Sequence, residues 1–346
     1  MKRTGCLFDS ILTRENFRLA WLKSIRGKSC RPEVLEFREN LDENLLTLMK
    51  SLSEDSFAFG HYETFTIRDP KERIICAAPF PERILHHAIM NVLDPVLESY
   101  QIDDSYACRR GKGTQAAVLR AFHCAKSHSH FLKLDVRKYF DSVDHDILKG
   151  TLRMRIKDQA VLEILDRIVD SYSTAPGKGI PIGNLTSQYF ANHYLAALDH
   201  EIVDRLRTRP WIRYMDDMLC LADSPQRLRA ILAHARAFCD HELALALKPE
   251  ILGRCEDGIP FLGYLVKPSG IFLMKKSKER FRENYRLLSR GFESGALDEE
   301  GFADRSTALC AHLELARSRR FRQTVIHGRL LWRQPRESRR QLEQQC

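Results

Sequence analysis

The sequence predicts an α+β fold in which an antiparallel sheet is covered on one face by helices. Three observations carry that prediction. Strand-like and helix-like patterns alternate from residue 131 onward. Two apolar runs, 211–215 and 218–222, flank the acidic pair Asp216-Asp217 as a hairpin flanks its tip. The strand-like runs end on carboxylates, Asp135 and Asp216, where the chain leaves the sheet. The 346 residues exceed the usual single-core limit of about 250–300, so two or three subdomains are expected.

Composition removes several classes. With 44% hydrophobic and 29% charged residues the chain reads as an ordinary globular protein. No two of its ten cysteines lie within four positions of each other. That excludes paired-ligand zinc spacing, and their density is too low for a disulfide scaffold, so a reduced cytosolic compartment is expected. No uncharged apolar run approaches 18 residues, and Met1-Lys2-Arg3-Thr4-Gly5 is followed by no apolar run of signal-peptide length. Membrane and secretory readings fall away. The net charge is +9, and residues 275–346 hold 17 Lys/Arg against 10 Asp/Glu, so most of the surplus lies at the C-terminal end. Arginines interleaved there with Phe321 and Trp332 suit a polyanion, because guanidinium forks bind phosphates and stack on bases. The alternative is a solvated tail.

Taken in order, residues 11–58 carry Trp21, Leu22 and Ile25, then Leu35, Leu41, Leu45, Leu48 and Leu52, at near-helical spacing. Residues 65–68 and 73–77 predict two short strands joined by a turn at Asp69-Pro70-Lys71, which makes a basic hairpin. Pro81 opens a helix over 82–97 whose apolar face is Ile84, Leu85, Ala88, Ile89 and Leu93. His86 and His87 are expected to pack or face solvent rather than bind a ligand. A strand over 131–135 precedes a helix from Val143 and another over 157–171. The Gly/Pro-rich stretch 176–183 then breaks the chain before a long helix predicted over 185–206. After the acidic hairpin come a helix over 225–242, strands over 259–266 and 271–274, and a basic helical end. No internal repeat, low-complexity tract or Gly/Ser linker interrupts this order.

If the strands bearing Asp135 and Asp216-Asp217 are neighbours, three carboxylates meet and repel one another. Two Mg²⁺ ions about 3.5–4 Å apart would relieve that repulsion, and such a pair stabilises both the attacking and the leaving oxygen in nucleotidyl transfer. For a single aspartate the ordinary reading is a turn or a cap. The glycine-rich Gly111-Lys112-Gly113-Thr114 is not a phosphate-cradling loop of the Walker type, because glycine follows the lysine.

At this point the residues carry a family resemblance. Phe131-Leu132-Lys133-Leu134-Asp135-Val136-Arg137-Lys138-Tyr139-Phe140-Asp141 resembles polymerase motif A, and Tyr214-Met215-Asp216-Asp217 resembles the YxDD motif C of reverse transcriptases. Gly179-Ile180-Pro181-Ile182-Gly183-Asn184-Leu185-Thr186-Ser187-Gln188 is similar to motif B, and Phe261-Leu262-Gly263-Tyr264 to the primer grip. Ser105-Tyr106-Ala107-Cys108-Arg109-Arg110-Gly111-Lys112-Gly113-Thr114 resembles the basic template-contacting motif of prokaryotic enzymes. The match runs over about 65–266 in the family's order. It implies a right-hand polymerase. Fingers would occupy 61–130 and 157–180, an antiparallel-sheet palm 131–156 and 181–266, and a short, basic helical thumb 275–346, with 1–60 as an N-terminal helical extension.

Carried over residue by residue, the resemblance makes Asp135, Asp216 and Asp217 the catalytic carboxylates, with Asp135 and Asp216 the principal metal ligands and Asp217 nearby. Together with the Val136 carbonyl they would hold two Mg²⁺, for which Mn²⁺ could substitute. Phe140 matches a steric gate against the 2′-hydroxyl, the alternative being a core phenylalanine. Arg73, Arg68 and Lys71 match the fingers residues that hold the dNTP together with Phe140 and Ile182, the alternative being a solvated hairpin. Arg109, Arg110, Lys112, Ser187, Gln188 and the segment Phe261, Leu262, Gly263 and Tyr264 would contact template or primer. Partners implied are template RNA, cDNA or primer, and dNTPs, in the cytoplasm of a bacterium or archaeon or encoded by a phage, with no membrane.

Two departures narrow the resemblance. Where most reverse transcriptases carry glutamine before the motif B glycine this chain has Ile182, and the block ends Ser187-Gln188 rather than Ser-Pro. Both features resemble the reverse transcriptases of diversity-generating retroelements. Loss of the amide leaves discrimination to shape, so mismatches should be less strongly rejected, with Ile182 as the fidelity residue and a harmless packing change as the alternative. The resemblance implies that the errors fall opposite template adenines. That subclass implies a small basic accessory variability protein and cDNA that replaces part of a variable gene. In motif D, Pro249 is followed by Glu250 instead of the usual lysine, which leaves Lys248 as the candidate general acid. Retron, group II intron-like and defence-associated reverse transcriptases remain alternatives. The roughly 70 residues after the primer grip look short for both thumb and maturase domains, and the retron signatures are absent. An RNA-binding scaffold without catalysis is the reading from another class.

Overall fold

The structure is a computed structural model that describes residues 3–68 and 72–333. The predicted turn at 69–71, with Lys71, and the arginines at 336, 339 and 340 lie outside the described residues. The chain divides into two compact units, one of Met1–Gly113, Lys133–Leu219 and Arg229–Glu250, the other of Thr114–Leu132, Cys220–Leu228 and Ile251–Cys346.

The first unit opens with helices α1 (Phe8–Ile11), α2 (Arg14–Ser24), α3 (Pro32–Glu39) and α4 (Leu41–Ser53). Thr13 caps α2 by accepting from the Asn16 N–H, as an N-cap hydroxyl does. Strands β1 (Glu63–Arg68) and β2 (Glu72–Ala77) pair antiparallel, with Ile67 opposite Arg73. Helix α5 (Phe80–Glu98) buries Ile84, Leu85, Ala88 and Ile89 completely, and the Asn16 amide of α2 donates to the Ala88 carbonyl at 2.9 Å. Helix α6 (Thr114–Ala125) belongs to the second unit and was not expected from the sequence, although Ala117, Val118, Ala121, Cys124 and Ala125 fall on one buried stripe.

Strand β3 (His130–Asp135) buries Leu132 and Leu134 on one face, and its other face carries the buried Phe131 followed by the half-buried Lys133 and Asp135, two residues apart. A short helix α7 (Tyr139–Ser142) follows, and the helix predicted from Val143 starts at His145 as α8 (His145–Arg153), because the Asp144 carboxylate caps it by accepting from the Asp146 and Ile147 N–H groups. Helix α9 (Gln159–Asp170) follows, then α10 (Leu185–His200). The helix predicted over 185–206 changes pitch at Glu201–Arg205, a π-turn in which the Leu206 N–H reaches back five residues to the Glu201 carbonyl.

Strands β4 (Trp211–Tyr214) and β5 (Asp217–Ala222) are joined by two residues, which only an antiparallel pair permits. After α11 (Pro225–His241) come β6 (Ile251–Arg254), β7 (Ile259–Phe261), β8 (Tyr264–Lys267) and β9 (Gly270–Leu273), then α12 (Lys275–Glu293), α13 (Glu299–Glu314) and α14 (Arg319–Arg333). The sheet order is β4-β5-β3-β6, so the two carboxylate-bearing strands are neighbours. Strand β6, too exposed to alternate, was not expected. The single strand predicted over 259–266 is broken by left-handed backbone at Leu262 (φ +49°) and Gly263 (φ +88°), which turns β7 back on β8 in the antiparallel order β7-β8-β9. The α+β class is as the sequence predicts. No helix among the described residues is long and apolar enough to cross a membrane.

Candidate active site

Neighbouring strands place Asp135 at the end of β3 beside the β4–β5 connection. That connection is Met215-Asp216, one residue earlier than the acidic pair the sequence suggested, and Asp217 is already the first residue of β5. Met215 takes φ +53°, a left-handed conformation uncommon for a side chain of its size.

The three carboxylates have different surroundings. Asp216 is pushed above the ordinary carboxylate range, first by burial and then by the facing Asp135 carboxylate, while the Lys248 ammonium pulls the other way. Asp135 Oδ1 lies 2.6 Å from Lys248 Nζ. The Lys248 N–H also donates to the Asp135 carbonyl at 2.8 Å, and the Arg137 N–H to the Ala246 carbonyl at 2.8 Å, so Val136 and Leu247 form the non-hydrogen-bonded pair of an antiparallel bridge. In such a pair the carbonyls point away from the partner segment, which leaves the Val136 oxygen turned from 246–248.

Asp217 is held differently. Its Oδ2 lies 3.1 Å from Lys133 Nζ, its Oδ1 is buried without a hydrogen bond, and burial raises its carboxyl to about 7 against the lowering effect of Lys133. Asp135 and Asp216 thus face one another as a pair, and Asp217, which also feels both charges, is held by Lys133 as Asp135 is held by Lys248. Among the described residues no three His, Cys, Asp or Glu side chains converge as a ready cage for a metal ion. The pair still fits a hard divalent cation. It offers two carboxylates and a carbonyl oxygen, and the like charges that raise Asp216 are those a cation relieves.

Around this pair, Phe140 is half-buried on α7, its ring 5.8 Å from the buried Tyr139, so it is not a core phenylalanine. The Tyr139 hydroxyl donates to the Ala191 carbonyl of α10, and the Ile180 N–H donates to the Phe140 carbonyl at 2.9 Å. Ile182 is half-buried, and its carbonyl accepts the Cys76 N–H of β2 at 2.8 Å. Gly183 follows at φ +118°, where a Cβ would lie 2.7 Å from Ile75 Cγ2. Glycine thus lets the hairpin strand approach motif B this closely. Arg73 is exposed on β2, and Arg68 on β1 pairs with Glu72 at 3.0 Å.

Several expected nucleic-acid contacts are occupied within the fold. The Arg109 guanidinium, 8% exposed, binds both Glu98 oxygens and the Ile102 and Ser105 carbonyls, so it braces its own loop. Lys112 donates to the Asp103 carboxylate at 2.8 Å, whereas Arg110 is exposed. Ser187 is buried, and Gln188 accepts from the Cys108 thiol at 3.4 Å. In the second unit Phe261 and Tyr264 are fully buried, which leaves Leu262 and Gly263 at the surface of the turn, and the Gly263 carbonyl accepts from the Ser277 hydroxyl at 2.7 Å. Sequence reasoning did not single out Lys133, although its two-residue offset from Asp135 was a usable signal.

The profile of the reverse transcriptase (RNA-dependent DNA polymerase) family matches residues 68–266. An uncharacterized 91 kDa protein in the cob intron of Schizosaccharomyces pombe is 24% identical over 225 residues, covering 58% of this chain and 26% of that protein. The group II intron-encoded protein LtrA of Lactococcus lactis subsp. cremoris is 25% identical over 143 residues, covering 37% of this chain and 22% of LtrA. The chain thus spans about a quarter of the length of these curated relatives. Among solved structures, a Candida tropicalis telomerase with a fragment of telomeric RNA aligns at 11% identity and a TM-score of 0.48, over 74% of this chain and 53% of that one.

Proposed function

We propose that this chain, which belongs to the reverse transcriptase (RNA-dependent DNA polymerase) family and has its α+β right-hand polymerase fold, copies a template RNA into cDNA. The observation that carries this reading is the Asp135–Asp216 pair at the junction of two neighbouring strands, with Lys248 bound to one of its members.

Asp135, Asp216 and the Val136 carbonyl would hold divalent cations, Mg²⁺ or Mn²⁺, which when bound supply activation of the primer 3′-hydroxyl and neutralisation of the triphosphate charge. The chain's own residues do the rest. The primer 3′-oxygen attacks the α-phosphorus of the dNTP, a phosphodiester bond forms, the α–β bond breaks, and the hydroxyl proton passes to solvent. The Lys248 ammonium, beside Asp135, delivers a proton to the departing pyrophosphate. The half-buried Phe140 ring excludes a 2′-hydroxyl, and Arg73 binds the triphosphate from the hairpin with Arg68 and Lys71. Arg110 is the exposed member of the template set, Lys112 and Gln188 join it by exchanging Asp103 and Cys108 for nucleic acid, and the Leu262-Gly263 turn is the accessible part of the primer grip. On this reading the fingers, palm and thumb follow the boundaries drawn from sequence.

The finer assignment is to a diversity-generating retroelement. It is supported by Ile182, an aliphatic side chain held through its carbonyl to Cys76 where an amide is usual. Such an enzyme misreads template adenines and works with a small basic accessory protein. A second reading, an intron-type reverse transcriptase, is favoured by the intron-encoded relatives.

The test supplies purified protein with template RNA, dNTPs and Mg²⁺, with and without the accessory protein, and sequences the cDNA beside an Asp216→Ala control. cDNA that depends on Asp216 and carries errors opposite adenine is the expected result, and Ile182→Gln should lower those errors about tenfold or more. Accurate cDNA would favour the intron-type reading. RNA binding with no cDNA would favour the scaffold.

A further inference from the structure

The largest ionic group in the interior belongs to none of the residues so far given a role. Arg213, in the middle of β4, is completely buried and paired with the equally buried Asp199 of α10, Nη2 to Oδ2 at 2.6 Å and Nε to Oδ2 at 2.7 Å. A buried pair of this kind gives little net stability, because desolvation offsets the attraction. Its other bonds are more telling. Nη1 donates to the Asn192 side-chain oxygen at 2.7 Å and to the Met215 carbonyl at 3.3 Å, and Met215 is the left-handed residue that turns the chain into Asp216. Nη2 donates to Gln101 Oε1 at 3.0 Å. All five N–H groups of the fork are used.

The same residue also holds the segment after α5. Its N–H donates to the Asp104 carbonyl and its carbonyl accepts from Tyr106 N–H, both at 2.9 Å, which lays Ser105 alongside it as a parallel bridge. Asn192 completes the link by donating to the Ala107 carbonyl at 2.6 Å. One guanidinium therefore joins the 101–107 segment, the motif B helix and the catalytic turn, through buried hydrogen bonds to Asp199 and Asn192 and part-buried ones to Gln101 and Met215.

We infer that Arg213 is a positioning residue for polymerisation: through the Met215 carbonyl it sets the placement of Asp216, and through Gln101 and Asn192 it registers that placement to the basic 105–113 segment. The inference rests on the polymerase reading for its kinetic consequence but not for its structural one. A bond to the turn's carbonyl that is formed only by a desolvated, fully occupied fork holds the carboxylate within the tolerance that nucleotidyl transfer requires.

The test uses the full chain with Arg213→Met and Asp199→Asn combined. Both charges leave together, no buried charge is stranded, and the asparagine retains an acceptor for the Trp211 Nε1–H now bonded to Asp199 at 2.8 Å. The expected result is a retained melting temperature, amide exchange over 214–217 faster by about tenfold or more, and kcat lower on the order of 100-fold with KM for dNTP and primed template within about threefold. Wild-type exchange and kcat in a folded double variant would overturn the inference. If the double variant does not fold, Gln101→Leu, which leaves the ion pair whole, carries the test. Faster exchange over both 102–107 and 214–217 is then expected, and unchanged exchange overturns the inference. A wild-type chain inactive with every template would sink the polymerase reading while the exchange measurement still decides the role of Arg213.

Discussion

Lys248 holds Asp135 at two levels, its N–H bonded to the Asp135 carbonyl at 2.8 Å and its Nζ 2.6 Å from Oδ1. The main-chain bond fixes where the side chain starts, and the ion pair fixes where it ends. Lys248→Met keeps that bond and removes the cation. Single-turnover incorporation is expected to fall by roughly 10²–10⁴-fold, the usual contribution of a positioned proton donor. The fold should change by less than about 1 kcal/mol, because the pair is partly solvated. Full incorporation in this variant would remove Lys248 from the chemistry.

Lys133 does for Asp217 what a metal would otherwise have to do. Lys133→Met leaves that buried carboxylate without its cation, and a loss of roughly 1–3 kcal/mol is expected at pH 8 in urea unfolding with chelator present. The Asp217 carboxyl is already raised to about 7. Removing the lysine raises it further, so the folded state is increasingly protonated as pH falls and the deficit should shrink at pH 6. An equal deficit at both pH values would contradict the pairing.

Gly183→Ala meets two obstacles, φ of +118° and an Ile75 methyl 2.7 Å from the added carbon. A loss of about 1–3 kcal/mol is expected from backbone strain and overpacking. The same substitution should cost less in an Ile75→Ala background, where the steric part is gone. Because Cys76 and Ile182 share a hydrogen bond beside this contact, KM for dNTP should rise in the single variant. Thermal melts of the wild type, the two single variants and the double variant separate the contributions.

A second titrating pair sits in the N-terminal half. Burial raises the Glu82 carboxyl to about 7, against the Gly60 N–H that it accepts, and lowers the His86 imidazole to about 3, with their polar atoms 3.5 Å apart. Glu82 is protonated in the fold before it is in the unfolded chain, so its stabilising effect is complete below about pH 4.5 and is lost as pH rises to about 7. His86 works in the opposite sense, its effect being present above about 6.5 and lost as pH falls toward 3. The two slopes cancel between about 4.5 and 6.5. Glu82→Gln keeps an acceptor for Gly60 and should leave the protein relatively more stable at pH 8 than at pH 5, by roughly 1–3 kcal/mol. A difference of opposite sign would refute this assignment.

What could be read from the chain depended on locality. Asp135 and Asp216 were legible because apolar runs lead into them, and strand adjacency did the rest. That Lys133 pairs with Asp217 was not legible, since nothing in Tyr-Met-Asp-Asp points to a lysine of another strand. Arg109 looked like a phosphate contact because it stands in a basic loop, yet Glu98, eleven residues earlier, takes its fork. Arg213 sat unremarked in an apolar run, because a buried guanidinium is recognisable only once its partners at 101, 192 and 199 are placed. The split of 259–266 turned on one leucine in the left-handed region, a conformation that side-chain pattern does not encode.

Asp135 and Lys248 are 113 residues apart in the chain. At synthesis rates of about 5–20 residues per second, Asp135 emerges on the order of ten seconds before the lysine that completes its surroundings exists. Strand β3 can dock early, but its terminal carboxylate acquires its cation only when the 246–248 segment arrives. The polypeptide is therefore born with this carboxylate unpaired, and in nascent chains stopped anywhere before residue 248 Asp135 lacks its lysine whatever else they have folded.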